Sequence, residues 1–397
     1  MRKFGFLVHP LSYDDVERYD PGAVGKGRPI IKKILEWMPS YKVSEITGVR
    51  SAGTGEEISG YFIGAPLLPE QWLELPRESV IDRIVRGAEL ARDLGCGIFG
   101  LGGFSSVVGD GGETVAERVP GIAITTGNSY TIAAGIQSLY RGAREMEIDL
   151  PNAHAVVIGA TGSIGSACSQ ILGNKVARVT LAARNATRLK NLTHAMQPHV
   201  SAALDWTIDI REAVRNADVV LTATSAVSAV VEPEDLRPGA VISEVSLPHD
   251  VSRRVATERP DVLVSEGGNI LVPGNVNFNF DFGLPPRTAL ACMSETMILT
   301  LEGRFVNYSL GRGIHLNKVL EIEQLAEKHG FKLAGMRAFD KPVSDEQIAR
   351  TRECARAARA AVGTVDAPVN LNGTPVAAGS AAATMPADAQ SVKARVQ

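Results

Sequence analysis

Three glycines between two apolar segments carry the clearest chemical signal in this chain. Gly159, Gly162 and Gly165 follow the apolar segment Ala155–Ile158 and lead into a run of small residues. This spacing predicts a strand, a tight turn and a helix whose free N–H groups and positive dipole end bind the pyrophosphate of a dinucleotide. The residues expected to contact that cofactor here are Gly159, Ala160, Thr161, Gly162, Ser163, Ile164 and Gly165, with Thr224 after a later strand.

The end of the next apolar segment indicates which dinucleotide the loop would bind. Val179–Ala183 is followed by Arg184 and Asn185, with Arg188 one turn further on, and no acid lies among them. A carboxylate at this point would accept hydrogen bonds from the ribose 2′-hydroxyl of NAD(H). Guanidinium groups bind phosphate oxygens instead, so the segment predicts NADP(H). The alternative is that Arg184 is an ordinary solvated residue at the start of a helix.

Cys292 is the residue best suited to covalent chemistry. A thiol beside a nicotinamide can attack a thioester or an aldehyde and hold the acyl group as an intermediate. The double proline at 285–286 favours a helix over Arg287–Gly303, which would place Cys292 beyond its first turn, where the dipole helps a thiolate less. The apolar neighbours leave open the alternative that Cys292 is a small core residue. No general base is evident from helical spacing, and Glu295 would oppose a thiolate.

Two glycine-containing loops offer hydroxyl and amide groups to a substrate. Ser105 and Ser106 lie in GLGGFSSVVGD, and Thr126 and Asn128 lie in TTGNSYT, between a strand and a helix. Such positions commonly contact ligands in α/β sheets, so we expect these residues to bind substrate or stabilise an oxyanion. The alternatives are turn formation for the serines and helix capping by Asn128 or Ser129.

Few other histidines or cysteines suggest a site. His9, at the end of the first predicted strand, is the exception, with a structural role as the alternative. Cys96 and Cys168 fit packing positions, and Cys354 fits no role. The four cysteines lack metal-ligand spacing, so no metal site is expected.

Alternating strand and helix patterns position these residues and predict an α/β protein with a doubly wound Rossmann-type nucleotide domain. An N-terminal α/β domain for substrate or partner is expected over residues 1–147, and the nucleotide domain over 148–285. C-terminal helices over 286–361 would carry Cys292 and close onto the N-terminal domain. A low-charge, disordered tail is expected over 362–397.

Composition excludes several functional classes. The 397 residues carry a net charge of −3, without the basic excess of a nucleic-acid-binding protein. The widely spaced cysteines fit a reducing cytoplasm. No apolar run is long enough to cross a bilayer. We therefore expect a cytoplasmic protein that is not integral to the membrane.

Several motifs in their order resemble the long-chain acyl-[acyl-carrier-protein] reductases known best from cyanobacteria. The resemblance covers about residues 4–333, and the motifs that carry it are VHPLS, SGYFIGAPLLPE, LGGFSSVV, TTGNSYT, VVIGATGSIGSA, LAARN, SEGGNI, ALACMSETMILTLEG and EIEQLAEKHGF. The family's cysteine corresponds to Cys292 by its place in that helix. The PHDVSRRV and NVNFNFDFGLPP segments and the tail depart from the cyanobacterial pattern, so the resemblance leaves chain length and thioester carrier open.

The resemblance implies a reaction, a cofactor and partners. NADPH would reduce a long-chain acyl thioester, on acyl carrier protein or coenzyme A, to a fatty aldehyde through a Cys292 acyl-enzyme. An aldehyde-deformylating oxygenase is a further candidate partner. Suggested tunnel residues are Phe62, Leu67, Leu68, Trp72 and Phe104, and suggested carrier-docking residues are Arg83, Arg86, Arg253 and Arg254. Two alternatives stay open: a shikimate-type dehydrogenase of a small hydroxy acid, and a non-catalytic NADP(H)-binding scaffold.

Overall fold

A mixed β-sheet forms the centre of the N-terminal part of the chain. The computed structural model describes residues 1–365. The elements of the first part, in chain order, are β1 (Lys3–Val8), α1 (Tyr13–Tyr19), α2 (Arg28–Trp37), β2 (Tyr41–Arg50), β3 (Glu57–Gly64), α3 (Pro69–Glu74), α4 (Arg77–Asp93), β4 (Ile98–Gly100), α5 (Val108–Gly111), α6 (Glu113–Arg118), β5 (Ala123–Thr125) and α7 (Asn128–Glu145). Strands β3, β1, β4 and β5 run parallel in that order, and β2 pairs antiparallel with β3.

The central position of β1 explains its apolar sequence. Phe4 contributes to the core on one face of the sheet and Leu7 to the core on the other, and both are buried. Parallel strands covered on both faces have such continuous apolar runs. On the Leu7 face, α4 packs Ile84 and Ala88 at helical spacing against the sheet. Apolar residues at helical spacing over Arg77–Leu94 predict a helix, and the structure has it as α4.

The second part of the chain forms a separate, fully parallel sheet. Its elements are β6 (His154–Ile158), α8 (Ser163–Leu172), β7 (Arg178–Ala182), α9 (Ala186–Met196), β8 (Ala203–Thr207), α10 (Ile210–Val214), β9 (Val219–Thr222), β10 (Val241–Glu244), α11 (Val255–Glu258) and β11 (Leu263–Glu266). The strand order is β8-β7-β6-β9-β10-β11. This is the order of the doubly wound Rossmann fold, in which a dinucleotide binds at the carboxyl ends of the strands where the order reverses, here between β6 and β9. The predicted fold class is confirmed.

The remaining elements connect the two sheets. They are β12 (Asn269–Leu271), β13 (Gly274–Asn277), β14 (Thr288–Leu290), α12 (Ala291–Leu301), α13 (Leu316–His329), β15 (Lys332–Leu333), β16 (Arg337–Ala338), β17 (Lys341–Pro342) and α14 (Asp345–Val365). Strand β13 pairs antiparallel with β2, at the edge of the N-terminal sheet. Residues Gly274–Asn277, within the segment 148–285 expected to form the nucleotide domain, therefore pair with the N-terminal sheet.

The last helix extends further than its sequence indicates. We expected it to end at Ala361, but α14 continues to Val365, so the first four residues of the expected tail are helical. The rest of that tail, 366–397, lies outside the described residues.

Helix α7 belongs to the first part of the chain and packs against the second. It packs on β9, β10 and β11 of the parallel sheet and on α12, α13 and α14. Glycines allow α7 to lie close to the parallel sheet, because Gly135 faces Val245 and Gly142 faces Val241. Among the helices of residues 1–365, none has both the length and the apolar character needed to cross a membrane.

Candidate active site

The glycine loop after β6 has the backbone geometry of a pyrophosphate site. Gly159 has φ +80°, and a Cβ there would lie 2.2 Å from the carbonyl oxygen of Ala223, so only glycine fits. Gly162 precedes α8 without any side-chain cap, which leaves the first N–H groups of the helix available. A phosphate oxygen accepting these N–H groups would satisfy them, so the loop fits the predicted dinucleotide.

The residues expected to select the dinucleotide lie just after β7. Arg184 and Arg188 are exposed, and within the described chain neither guanidinium has an acidic partner. The Asn185 side-chain oxygen accepts the Arg188 N–H at 2.9 Å and so caps α9. Beyond the end of β9, the Thr224 hydroxyl donates to Asp250 at 2.5 Å, which fixes the loop after that strand. Two unpaired guanidinium groups thus border the site.

Cys292 lies in the first turn of its helix, and the expected helix start was wrong. Arg287 adopts a left-handed φ of +61°, which a continuing α-helix does not permit. Thr288–Leu290 then pairs antiparallel with Asn269–Leu271, so those residues form a strand and α12 begins only at Ala291. Consequently Cys292 is the second helical residue, where the positive end of the helix dipole is strongest.

Two opposing effects act on the Cys292 thiol. Burial raises its pKa to about 12, and the charge of Glu295 adds to that rise. The backbone N–H groups of Met293 and Cys292 itself act in the opposite direction, because they favour the thiolate. The thiol is therefore protonated at neutral pH in the free protein, and a reaction at sulfur requires a group that removes the proton.

Two of the predicted loops meet at this cysteine. A Cβ on Gly127 would lie 2.3 Å from the Cα of Cys292, and one on Gly102 would lie 3.4 Å from its Sγ. Asn128, the residue after Gly127, donates a hydrogen bond from its side-chain amide to the hydroxyl of Ser163 at 3.1 Å. Ser163 opens α8 in the pyrophosphate loop. One short segment thus links the thiol to the nucleotide crevice.

The carboxylate of Glu295 holds that segment in place. It is fully buried and accepts the Thr125 hydroxyl at 2.5 Å and the Tyr130 N–H at 2.8 Å. Because Tyr130 lies in the first turn of α7, the carboxylate caps that helix from another element. The expectation that Asn128 or Ser129 caps α7 was therefore wrong. Gly127 occupies the N-cap position, and glycine has no side chain that could accept a hydrogen bond.

The hydroxyl groups expected to contact substrate have partners within the protein. Ser105 donates to the Gly102 carbonyl at 2.8 Å and accepts the Gly102 N–H at 3.0 Å. Ser106 donates to the carbonyl of Gly103 at 2.8 Å, and Thr126 to the carbonyl of Ser309 at 2.5 Å. These bonds shape the two loops around Cys292.

An apolar cavity opens onto Cys292 from the N-terminal domain. Its apolar lining includes Val16, Ile31, Leu35, Phe280, Phe282 and Met293. His9 and Cys292 line the same cavity. The five residues suggested for a tunnel are buried in the packed core and are not among the residues that line this cavity: Phe62, Leu67, Leu68, Trp72 and Phe104.

Among the residues that the structure describes, only one nitrogen of the His9 ring has a hydrogen-bond partner. Its Nδ1 donates to the Pro10 carbonyl at 3.1 Å, and its ring centroid lies 5.1 Å from Trp72 and 6.0 Å from Phe104. Burial lowers its pKa to about 4. His9 is therefore neutral at pH 7, and its Nε2, which faces Gly103, can accept a proton.

Sequence patterns gave only part of this site. The alternating phenylalanines of NVNFNFDF mark a strand-like segment, and Phe280 and Phe282 reach the cavity, but the pattern does not reveal a ligand. No local signal marks Glu295 as the cap of α7, since the two are distant in sequence.

Of the suggested docking arginines, Arg83 donates to the carbonyls of Leu35 and Met38 at the end of α2.

Acidic groups with one histidine form a cluster near the loop after β10. His249, Glu266 and Asp340 place ligand atoms within 4.8 Å of one another. Arg253 pairs with Asp340 at 2.5 Å, and His249 with Glu244 at 2.7 Å. Hydrogen bonds from His249 to Asp340 and to Glu244 raise the pKa of its imidazole to about 10, so the cluster is a set of charged pairs that holds this loop.

Comparisons with known proteins agree with the nucleotide domain and extend beyond it. The family model for shikimate/quinate 5-dehydrogenase matches residues 142–263. The aminotransferase PigE of a Serratia species is 30% identical over 359 residues, which are 87% of this chain and 41% of PigE, so the chain spans about two fifths of that relative. The long-chain acyl-[acyl-carrier-protein] reductase of Synechococcus elongatus is 29% identical over 308 residues, 74% of this chain and 87% of that protein.

Among solved structures, L-tryptophan dehydrogenase from Nostoc punctiforme aligns over 91% of this chain and 89% of its own, with 10% identity and a TM-score of 0.37. The strand order of the chain itself defines the fold class. Together with the glycine loop, the shikimate/quinate 5-dehydrogenase family match and the Synechococcus reductase match, it supports an NAD(P)-dependent oxidoreductase.

Proposed function

We propose that the protein is an NADPH-dependent reductase that converts a long-chain acyl thioester to an aldehyde through an acyl-enzyme on Cys292. The observation that carries the proposal is the position of this thiol. Cys292 lines an apolar cavity, and the adjoining Gly127–Asn128 segment reaches Ser163 in the pyrophosphate loop. A thiol between a fatty-chain cavity and a dinucleotide crevice suits acyl transfer followed by reduction.

His9 is the proposed proton acceptor for the thiol. As the Cys292 Sγ forms its bond to the acyl carbon, the uncommitted Nε2 accepts the thiol proton and then returns it to the departing carrier thiolate. Concerted transfer is required, because the low basicity of His9 and the high pKa of Cys292 disfavour a free thiolate–imidazolium pair.

The start of α12 stabilises negative charge during both steps. The backbone N–H groups of Cys292 and Met293 act to lower the pKa of the thiol, and the helix dipole favours charge that develops beside it. The loops that carry Ser105, Ser106, Thr126 and Asn128 hold the thioester carbonyl near these donors. NADPH, when bound, would supply a hydride to the acyl carbon of the thioester on Cys292. The carbon–sulfur bond of the resulting hemithioacetal alkoxide then breaks, which releases the aldehyde and the Cys292 thiolate, and a proton from solvent restores the thiol.

The acyl donor in this proposal is an acyl carrier protein, by analogy with the Synechococcus reductase, with coenzyme A as the alternative. NADPH is proposed over NADH because of the two unpaired guanidinium groups after β7. The expected oxygenase partner and the cytoplasmic location stay predictions.

Trapping the intermediate tests the proposal. The protein is incubated with a long-chain acyl thioester without NADPH, and its intact mass and peptides are measured. We expect one acyl adduct on Cys292, release of aldehyde when NADPH is added, and no adduct in Cys292→Ala. Cys354→Ala, which changes a cysteine on α14, is the matched control and should react as the wild type does.

Two results would contradict the proposal. Oxidation of a small hydroxy acid that survives in Cys292→Ala would favour the shikimate-type dehydrogenase. NADPH binding without an adduct or turnover on any acyl thioester would favour the scaffold.

A further inference from the structure

Helix α2 presents an apolar face to solvent. Ile30, Ile34 and Trp37 are 57%, 47% and 76% exposed. Their spacing of four and three residues places them on one side of the helix, next to the side that Ile31 and Leu35 bury in the protein. We call Ile30, Ile34 and Trp37 the α2 face. Scattered apolar residues on a surface are ordinary, but three on one helical face form a patch that calls for a partner.

The α2 face borders the mouth of the cavity that contains Cys292. Ile34 is half exposed and also lines that cavity. Tyr19 and Lys26 have the same two properties, since both line the cavity and both are exposed. An apolar ligand that leaves the cavity by this mouth therefore emerges beside the α2 face.

Basic side chains outnumber acidic ones along the α2 segment. Residues 24–37 contain four basic side chains, Lys26, Arg28, Lys32 and Lys33, against the single acid Glu36, although the whole chain has a net charge of −3. Lys32 pairs with Glu74 at 2.8 Å and Lys33 with Glu36 at 3.1 Å, and such surface ion pairs are weak enough to exchange for anionic headgroups. The Lys33 ammonium lies 5.6 Å from the centroid of the Trp37 ring, at the edge of the apolar face. An apolar helical face flanked by lysines, with a tryptophan at its end, is the arrangement that binds the surface of an anionic bilayer.

We propose that α2 docks the protein on an anionic lipid bilayer. Ile30, Ile34 and Trp37 insert at the boundary between headgroups and acyl chains, while the surrounding lysines contact anionic headgroups. A bilayer matches both the apolar face and the charge, whereas an acidic protein would match the charge alone. This inference rests on the proposed function for its purpose: a long-chain aldehyde passes from the mouth into lipid without crossing water.

The supporting structure makes α2 a firm docking element. Arg83 donates to the carbonyls of Leu35, Glu36 and Met38 at the carboxyl end of α2, and these groups would otherwise lack partners. In the middle of α2, Gln71 donates to the Lys32 carbonyl at 3.0 Å. Because these bonds fix the helix in its middle and at its carboxyl end, the α2 face is preformed, and docking requires little ordering of the backbone.

Vesicle sedimentation with the full-length protein tests the proposal. Phosphatidylcholine vesicles with and without phosphatidylglycerol are pelleted, and the bound fraction is measured at low and high salt. We expect binding to the anionic vesicles that weakens with salt, and at least a roughly tenfold loss of affinity in Ile30→Glu/Trp37→Glu. The matched control is Ile208→Glu/Leu320→Glu, which places the same charges at exposed apolar positions elsewhere and should bind as the wild type does.

Tryptophan fluorescence provides a second, site-specific measurement. The chain has three tryptophans, of which Trp72 is buried and Trp206 lies on β8, so Trp72→Phe/Trp206→Phe leaves Trp37 as the reporter. Anionic vesicles should shift its emission to shorter wavelength, and brominated lipid should quench it.

Several outcomes would overturn the proposal. Wild-type protein that does not bind anionic vesicles, or equal binding by Ile30→Glu/Trp37→Glu, contradicts it directly. Absence of vesicle binding together with a dimer that those substitutions dissociate would assign the face to a second copy. Absence of vesicle binding with slower acyl transfer from carrier protein in the variant would assign it to the carrier. Vesicle binding needs no acyl substrate, so its failure is separable from failure of the Cys292 adduct assay.

Discussion

At the scale of single residues, the reactivity of Cys292 depends on a balance between burial and the start of a helix. Burial disfavours the thiolate, whereas the N–H groups of the first turn of α12 favour it. Since burial prevails in the free protein, a neighbouring base matters more here than at an exposed thiol. His9, which lines the same cavity, is the candidate for that base.

Replacing His9 with alanine should slow acylation and change its pH dependence. We expect a loss of about 100-fold in the rate of adduct formation at pH 7, the lower range for a lost general base. Because the pKa of His9 is lowered to about 4, the wild-type rate should be flat from pH 6 to 8. In the variant the rate should rise with pH, since only the small thiolate fraction of Cys292 reacts. Stopped-flow acylation with mass detection measures both.

His199→Ala is the control for this experiment. His199 is exposed in the nucleotide domain, and its replacement should leave rate and pH profile unchanged. Equal rates in His9→Ala and wild type would remove His9 from the proposed mechanism.

A second residue-scale prediction concerns Gly127. An alanine there must adopt a φ of +75° and would place its Cβ 2.3 Å from the Cα of Cys292. We expect Gly127→Ala to lower the free energy of unfolding by about 3 kcal/mol or more and to impair acylation, because backbone strain and a steric clash act together. Urea denaturation and the adduct assay measure the two effects.

The chain contains a matched control for the backbone strain alone. Gly55 has φ +72°, but a Cβ there would meet nothing within 4 Å. Gly55→Ala should therefore cost about 1 kcal/mol and leave acylation intact. If the two variants lose equal stability, close packing of Gly127 on Cys292 does not constrain the site.

At the scale of elements, sequence periodicity predicted those whose stability is local. The apolar run before Gly159 and the spacing along α4 each indicate an element without reference to the rest of the chain. The start of α12 could not be found in this way. Thr288–Leu290 is a strand only because Asn269–Leu271 lies beside it, a long-range pairing that local propensity does not report.

The same contrast separates the predicted and missed parts of the site. The glycine loop would bind the dinucleotide through its backbone, so this part of the site can be predicted from the spacing of three glycines. Glu295 acts by contacting Thr125 and Tyr130, which lie about 170 residues earlier in the chain. From sequence it could be seen only as a charge near Cys292, because its partners depend on how α7 and α12 pack.

The loop between β7 and α9 carries the prediction for cofactor choice. Arg184→Asp should weaken NADPH binding roughly 10- to 100-fold, because one charge-assisted hydrogen bond is lost and a repulsive charge is added. NADH lacks the 2′-phosphate, so its binding should change little. Isothermal titration of each dinucleotide measures the two affinities.

Arg215→Asp introduces the same charge change at an exposed position that precedes β9, at the amino end of the parallel sheet. This control should bind both dinucleotides as the wild type does. Equal weakening of NADPH and NADH binding in Arg184→Asp would contradict a role in 2′-phosphate recognition.

At the scale of the whole molecule, the two sheets share a core. One continuous cluster of buried side chains includes Phe4 and Phe62 of the N-terminal sheet, Leu139 of α7, and Val157 and Leu221 of the parallel sheet. Because α7 belongs to the N-terminal part and packs on the parallel sheet, separating the two parts would expose apolar surface on each. The thiol and the nucleotide crevice are therefore held in a fixed relation by the core itself.

This shared core predicts that the molecule unfolds as one cooperative unit. NADPH at 100 times its dissociation constant should stabilise the protein by about 2.7 kcal/mol. Trp72 lies in the N-terminal part, away from the nucleotide site, and Trp37→Phe/Trp206→Phe leaves it as the reporter while changing only exposed or half-buried positions. If the two halves are coupled, Trp72 fluorescence should show the full NADPH-dependent shift in the urea midpoint. The unfolding transition reported by Trp72 should also coincide with the transition seen by far-ultraviolet circular dichroism. Both results are expected because, in a coupled molecule, the binding energy gained in one half opposes unfolding of the other. A Trp72 transition that NADPH does not move would mean that the N-terminal part unfolds independently, and the fixed relation between Cys292 and the cofactor would be lost with it.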